Sequence, residues 1–297
     1  MMKNLIRALR LPFITASVLP FVFGSLINRS HFQVAGFLLG FIAAAATHLG
    51  SNLINDYADS KSGADWQDKK FYGLFGGSKL IQENVLSEKF YLNSAIVCAI
   101  IASTAVLGLA FLLKSSAVVI YYLIIIILGW SYSTKPLQFS YHKLGEIIIF
   151  LLFGPAVVMG GYFIQTGVFP DMKSFVLSLP FGFFTTAILY ANEIPDFYND
   201  QKAHKFNWVS ILGVDRAYIL YLVLMFSGVA SVALAFRLGF LKMFSLGGVV
   251  ILTVPIVKAA LIMKKSPADK DQLVKSSQMT IAVQTVASII LIFGTFL

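Results

Sequence analysis

The chain has 297 residues, 58% of them hydrophobic and only 12% charged, and its mean hydropathy is +0.80. Soluble domains carry roughly 25% charged residues and must cover themselves with polar surface, so a soluble globular protein is excluded. The net charge of +9 sits at the ends of apolar runs rather than on one basic face, which favours a membrane-topology signal over a nucleic-acid partner.

In chain order the apolar runs are 11–28, 34–54, 91–113, 116–131, 145–166, 174–192, 215–236, 241–263 and 278–297. Each reaches or approaches the ~20 residues that a helix needs to cross hydrocarbon. In lipid every backbone polar group must be satisfied internally, so such runs become helices, and the short alternating segments of a β-barrel are missing. The expectation is an all-α integral membrane protein of about nine transmembrane helices, forming a single domain over residues 1–297. The first run follows Lys3, Arg7 and Arg10 like a signal peptide, but Pro12 and Pro20 interrupt it and no cleavage site follows, so it reads as an uncleaved span. The second and sixth runs are expected to continue as helices into the loops beyond them.

With the N-terminus in the cytoplasm, seventeen Lys and Arg fall on that side and five on the other (Arg29, Lys114, Lys173, Arg237 and Lys242). This positive-inside bias predicts a multi-pass protein of the cell (inner or plasma) membrane. The lone Cys98 permits no disulfide within the chain.

The two long loops on the cytoplasmic side hold ten of the fourteen acidic residues. Each begins with the same pattern at the end of an apolar run: Asn55-Asp56-Tyr57-Ala58-Asp59, and Asn192-Glu193-Ile194-Pro195-Asp196 followed by Asp200. On a helix, His48, Asn52, Asn55, Asp56 and Asp59 fall within an arc of about 100°, with Asp56 at one edge. Thr185, Asn192, Asp196 and Asp200 do the same if the helix survives Pro195. Acids on inward stripes at a membrane boundary are costly unless paired or metal-bound. Oxygen ligands of this kind suit Mg²⁺, which takes one or two carboxylates and completes its shell with water and phosphate. The nearby Lys61, Lys69, Lys70, Lys79, Lys135, Lys202 and Lys205 would meet a diphosphate. Asp65, Asp68, Glu83 and Glu88 read more readily as solvated partners of loop lysines, whereas Asp56, Asp59, Asp196 and Asp200 read as functional.

Asn55 to Asp59, with Gly63 and Asp65, resembles the first aspartate-rich motif of the UbiA superfamily of intramembrane prenyltransferases, and Asn192 to Asp200 resembles the second. The resemblance implies nine transmembrane helices around a central cavity. Gly63 with the acid deferred to Asp65, Gly76-Gly77-Ser78 with Gln82, and Tyr132-Ser133, Pro136, Tyr141, Leu144-Gly145-Glu146 are similar to the 1,4-dihydroxy-2-naphthoate branch of menaquinone synthesis. Arg10-Leu11-Pro12 resembles the family's first helix. Lys135, Thr134, His204, Glu193 and Pro195 depart from the pattern.

By this resemblance the activity is an Mg²⁺-dependent transfer of a polyprenyl group from a prenyl diphosphate to an aromatic acceptor, at a site on the cytoplasmic side. Asp56, Asp59, Asp196 and Asp200 are the expected metal ligands. Asp59, Asp196, Lys135 and Tyr132 are expected at the reacting centre, and Asn55, Asn192, Lys61, Lys205, Tyr141 and Asp65 against the substrates. Lys135 fits either a substrate anion or an interfacial lysine reaching for headgroups. Dihydroxynaphthoate is the favoured acceptor, with a hydroxybenzoate or homogentisate type as the alternative. A secondary transporter would also use repeated helices and carboxylates, but near the bilayer centre. A CDP-alcohol phosphotransferase would need an Asp-Gly-x-x-Ala-Arg element that is missing here. Donor length and oligomeric state stay open.

Overall fold

A computed structural model describes residues 2–66, 68 and 70–297; Lys69 lies outside the described residues. The helices are α1 (Met2–Ala8), α2 (Thr15–Leu26), α3 (Val34–Ser62), α4 (Glu88–Leu113), α5 (Ala117–Ser131), α6 (Gly145–Leu151), α7 (Val157–Thr166), α8 (Met172–Lys202), α9 (Val209–Leu212), α10 (Ala217–Arg237), α11 (Met243–Ile251), α12 (Thr253–Lys265) and α13 (Lys270–Gly294). Among the described residues there is no β-sheet.

Among the described residues, seven helical segments are long and apolar enough to cross a membrane: α3, α4, Gly145–Thr166, α8, Val214–Arg237, Met243–Lys265 and α13. The first predicted run makes an eighth if α1 and the following Leu11–Leu26 count as one span bent by 49°. That bend falls at Arg10, whose φ is +49°, with Pro12 in the short 3₁₀ turn behind it. The predicted fourth run is α5, an apolar helix of 15 residues and so shorter than a full span.

Local chemistry sets the helix ends. Asp171 caps α8 by accepting from Ser174 N–H at 2.7 Å, Ser87 caps α4 through Phe90 N–H at 3.1 Å, and Asp269 caps α13 through Gln272 N–H at 3.1 Å. Gly63, at φ +87°, stops α3 only after Ser62, eight residues beyond the apolar run, so both motif helices extend past their hydrocarbon segments as expected. α8 also continues through Pro195. The proline leaves the Ala191 carbonyl without its usual donor, yet the helix holds to Lys202 and keeps Asn192, Asp196 and Asp200 on one face.

α8 is the central helix: 78% of its apolar window is buried, against 22% for α4. It packs on α10, α13, α6 and the π-helical turn Leu152–Ala156, and the largest apolar cluster lies between it and α10, α12 and α13. On its other flank α2, α3, α5 and α6–α7 enclose a cavity. Exposed apolar side chains such as Phe111 and Ile251 face outward, as lipid contact allows.

Lipid offers no hydrophobic drive between helices, so close backbone approach has to hold them. A Cβ at Gly24 of α2 would lie 2.1 Å from the Val158 carbonyl oxygen of α7. Gly154 in the π turn meets Gly182 of α8 in the same way, at 2.8 Å. Gly24→Val should therefore destabilise the fold by about 1–3 kcal/mol or more, seen as a lower thermal unfolding midpoint in detergent. Gly247→Ala, with open space around the added methyl, should leave the midpoint unchanged; an equal loss in both would rule out the close-approach explanation.

Candidate active site

The carboxylate end of the cavity is built by the last turns of α3, the loop after it, and the last turns of α8. Asn55, Asp59, Asp65, Tyr132, Asn192, Asp196, Asp200 and Lys205 all stand on its wall. The two motifs, 120 residues and more apart in sequence, thus form one site.

Each carboxylate has named partners. Asp59 accepts from the Tyr141 hydroxyl at 2.8 Å and from Lys205 Nζ at 3.1 Å. Asn55 donates to Ser133 Oγ at 2.5 Å and approaches Asp59 at 3.4 Å. Asp200 accepts from Asn207 Nδ2 at 3.1 Å and lies 3.9 Å from Lys205. Asp65 pairs with Lys79 at 3.0 Å, and the same ammonium donates to the Asp65 carbonyl at 2.9 Å. Asp196 accepts the Gly76 N–H at 2.7 Å, which ties the loop of the first motif to the helix of the second. Gly76 and Gly77 sit at φ +72° and +75°, where a side chain is strained, and a Cβ on Gly77 would lie 2.5 Å from Asp65 Oδ2.

Burial sets the electrostatics. It opposes the charge on Lys205, but Asp200 and Asp59 outweigh it and hold its pKa well above the usual lysine value. Burial, with the nearby charge of Asp59, pushes Asp65 up to about 7 in spite of Lys79.

Three expected residues stand elsewhere. Asp56 is buried behind the wall, paired with Arg10 and accepting the Ser78 N–H at 3.2 Å. Lys61 is exposed and pairs with Glu88 at 2.5 Å. Lys135 is exposed on the loop after α5, off the cavity wall. Tyr141 reaches the site from behind, through Asp59.

Sequence reasoning does not place Arg10 at the site: in the sequence it reads as a topology charge and as part of the resemblance of Arg10-Leu11-Pro12 to the family's first helix, yet it reaches the wall from the bend before α2. A single arginine between Leu9 and Leu11-Pro12, where the chain turns into apolar sequence, is the available signal. The Gly76 amide is missed because a backbone donor leaves no mark beyond the glycine pair.

The donor set fits a hard divalent cation. Asp59, Asp65, Asp196 and Asp200 offer carboxylate oxygens, and the buried Oδ1 of Asn192 has no hydrogen-bond partner. Among the described residues no three acidic, His or Cys side chains converge on one point as they stand; Lys205 lies between Asp59 and Asp200, and Lys79 is paired with Asp65.

The model of the UbiA prenyltransferase family matches residues 17–283. The chain belongs to that family. The 1,4-dihydroxy-2-naphthoate octaprenyltransferase of Mycobacterium leprae is 29% identical over 199 residues, covering 66% of this chain and 65% of that protein. The human UbiA prenyltransferase domain-containing protein 1 is 32% identical over 225 residues, covering 74% of this chain and 64% of its own. The chain therefore spans just under two thirds of the length of these relatives. A UbiA homolog from Archaeoglobus fulgidus, solved bound to GPP and Mg²⁺, superposes with a TM-score of 0.63 at 16% identity, covering 98% of this chain and 99% of that one. This last likeness establishes the UbiA fold.

If Lys205 is the buried compensation for Asp59 and Asp200, Lys205→Met should cost roughly 3–5 kcal/mol of stability. Thermal unfolding in detergent measures this, and adding Asp59→Asn should recover part of the loss. No recovery in the double variant would show that the lysine acts through packing alone.

Proposed function

We propose that this UbiA-family chain transfers a polyprenyl group from a prenyl diphosphate to an aromatic acceptor, with 1,4-dihydroxy-2-naphthoate the favoured acceptor and menaquinone biosynthesis the setting. One observation carries the reading: a buried carboxylate cluster, drawn from both halves of the chain and tied together at Gly76–Asp196, opens directly into a long, mostly apolar cavity. A prenyl diphosphate has that same polarity along its length.

Asp59 with Asn55, and Asp196 and Asp200 with Asn192, would hold Mg²⁺, with Asp65 beside them. Bound there, Mg²⁺ supplies charge neutralisation that turns the diphosphate into a better leaving group. Lys79, Lys205 and Arg10 present cationic donors to the remaining phosphate oxygens. The tail gains about 0.8 kcal/mol per buried CH₂ along the apolar part of the cavity. The allylic C–O bond breaks with its electron pair going to the diphosphate, and Tyr132 supplies an aromatic ring on the wall for the developing cation. The electron-rich ring carbon of the acceptor forms the new C–C bond. In the naphthoate case that carbon bears the carboxylate, which leaves as CO₂ and returns its electrons to the ring. The relatives of the naphthoate branch and the loop similarities at Gly63, Gly76-Gly77-Ser78 and Tyr132 to Glu146 support this acceptor. The charge bias of the loops supports a cytoplasmic site in the cell membrane.

Asp59→Ala and Asp196→Ala should each lower turnover by roughly 10²-fold or more, as loss of a charge-stabilising group does. Asp68→Ala and Glu88→Ala, outside both motifs, should change it only a few-fold. Equal losses in all four would point to diffuse electrostatics instead.

The acceptor is tested by giving membranes one prenyl diphosphate with Mg²⁺ and, separately, dihydroxynaphthoate, hydroxybenzoate and homogentisate, then identifying products by mass. A demethylated naphthoquinol is expected, with EDTA abolishing it and Mg²⁺ restoring it. Product from the monocyclic phenols alone would overturn the naphthoate assignment, and full turnover under EDTA would overturn the metal.

A further inference from the structure

Away from the carboxylates the cavity continues along α3 to Gly40 and becomes largely apolar. Three polar side chains within this stretch are left over, His48, Thr185 and Tyr122. His48 of α3 and Thr185 of α8 both line the cavity and are only 7% and 5% exposed, and neither ring nitrogen of His48 nor Oγ1 of Thr185 has a hydrogen-bond partner.

The threonine is unusual within this protein. Thr47, Thr104, Thr166 and Thr186 each turn the hydroxyl back onto the carbonyl one helical turn earlier, at 2.7 to 2.9 Å, the ordinary fate of a mid-helix threonine. Thr185 makes no such bond. Ser17 and Asn52, also on the wall, are occupied internally: Ser17 bonds the Ile14 carbonyl, and Asn52 the Leu9 carbonyl.

His48 and Thr185 stand at the same sequence offset from their motifs. His48 precedes Asp59, and Thr185 precedes Asp196, by eleven residues, about 16 Å along each helix. Tyr122 of α5, packed with Ala43 and Ala46, also lines the cavity with an unpartnered hydroxyl. Phe153, on the π turn, meets the His48 ring edge-on at 5.6 Å and adds a flat apolar wall. A few polar groups in an otherwise apolar cavity fix the orientation of a ligand. A prenyl tail has no atom to offer them, and a diphosphate belongs at the carboxylates. A hydroxylated aromatic ring matches both the flat wall and the unmade bonds. His48 lies seven residues from Asn55, about 10 Å, so a bicyclic ring standing at His48 reaches up to the level where the donor's first carbon would hang beneath its diphosphate.

We propose that His48 and Thr185, together with Tyr122, form the binding subsite for a ring oxygen of the aromatic acceptor, and so set which acceptors fit. The proposal rests on the prenyl-transfer reading and assigns that reaction its acceptor-orienting residues.

The test is calorimetric titration of dihydroxynaphthoate into the purified full chain in lipid nanodiscs, which needs no turnover. Thr185→Val should weaken binding roughly three- to tenfold, the loss of one hydrogen bond, and Thr185→Ser should restore it. His48→Phe should weaken binding and His48→Gln should recover part of it, with unfolding midpoints measured for every variant. In initial-rate assays the same variants should raise KM for the acceptor and leave KM for the prenyl diphosphate unmoved. Unchanged acceptor binding in both Thr185→Val and His48→Phe would overturn the subsite, as would a wild-type chain that fails to bind the ring. A shift in preferred donor length with acceptor binding unmoved would assign these residues to the tail instead. Failure of the parent reading shows up separately, as absence of prenylated product with every acceptor of the panel.

Discussion

Asp56, Asp59, Asp65, Asp196 and Asp200 crowd the C-terminal ends of α3 and α8 and the turn after α3, and all five are buried or nearly so. Like charges in a low-dielectric setting repel strongly, and each one also loses its hydration. Three cations answer this. Arg10 takes Asp56, Lys79 takes Asp65, and Lys205 lies between Asp59 and Asp200. The backbone supplies the rest, with Gly76 N–H on Asp196 and Ser78 N–H on Asp56. The positions of α1, of the loop after α3 and of the segment after α8 are all set by the need to bring these donors to the same place.

The geometry is steady because the carboxylates ride on long helices rather than loops. α3 and α8 carry the acids beyond their hydrocarbon segments, and α8 is clamped on several sides by other helices. The loop between α3 and α4 is fastened a second time at its outer part, where Asp68 pairs with Lys270 at 2.7 Å and Lys70 with Asp271 at 3.1 Å. Tyr72 lies between the two lysines, 4.6 and 5.2 Å from them. Contacts to both α8 and α13 thus hold a glycine-rich segment in register with the site.

Much of this is legible in the residues. The apolar runs give the membrane class, and the two Asn-acid-x-x-Asp patterns give a shared site, because helical periodicity alone puts Asn55 with Asp59 and Asn192 with Asp196 on one face. Periodicity says less about residues at the edge of a stripe. Asp56 sits at such an edge, and which neighbour it meets depends on where α1 packs, a tertiary fact with no local trace. Charge and sequence distance group Lys61 and Lys135 with the site. Long side chains on a helix end and a loop can point anywhere their surroundings allow, and here they point outward. Pro195 leaves the reach of α8 open in the sequence, and packing against its neighbours holds the helix together where propensity would break it. His48 and Thr185 are visible on the stripes, but only the structure shows that nothing in the protein bonds them.

The order in which the chain is made gives the Lys205–Asp59 contact a further meaning. Asp56 meets Arg10, a partner made 46 residues earlier, so its charge has company as soon as α3 emerges. Asp59 must wait for a lysine 146 residues downstream, and at synthesis rates of about 5–20 residues per second that is on the order of ten to thirty seconds. Through that interval the end of α3 carries an uncompensated carboxylate that must stay hydrated, which keeps this helix from sinking fully into lipid. The site closes only once α8 and the segment behind it have arrived, so the step that completes the carboxylate cluster is also the one that draws water away from the acids.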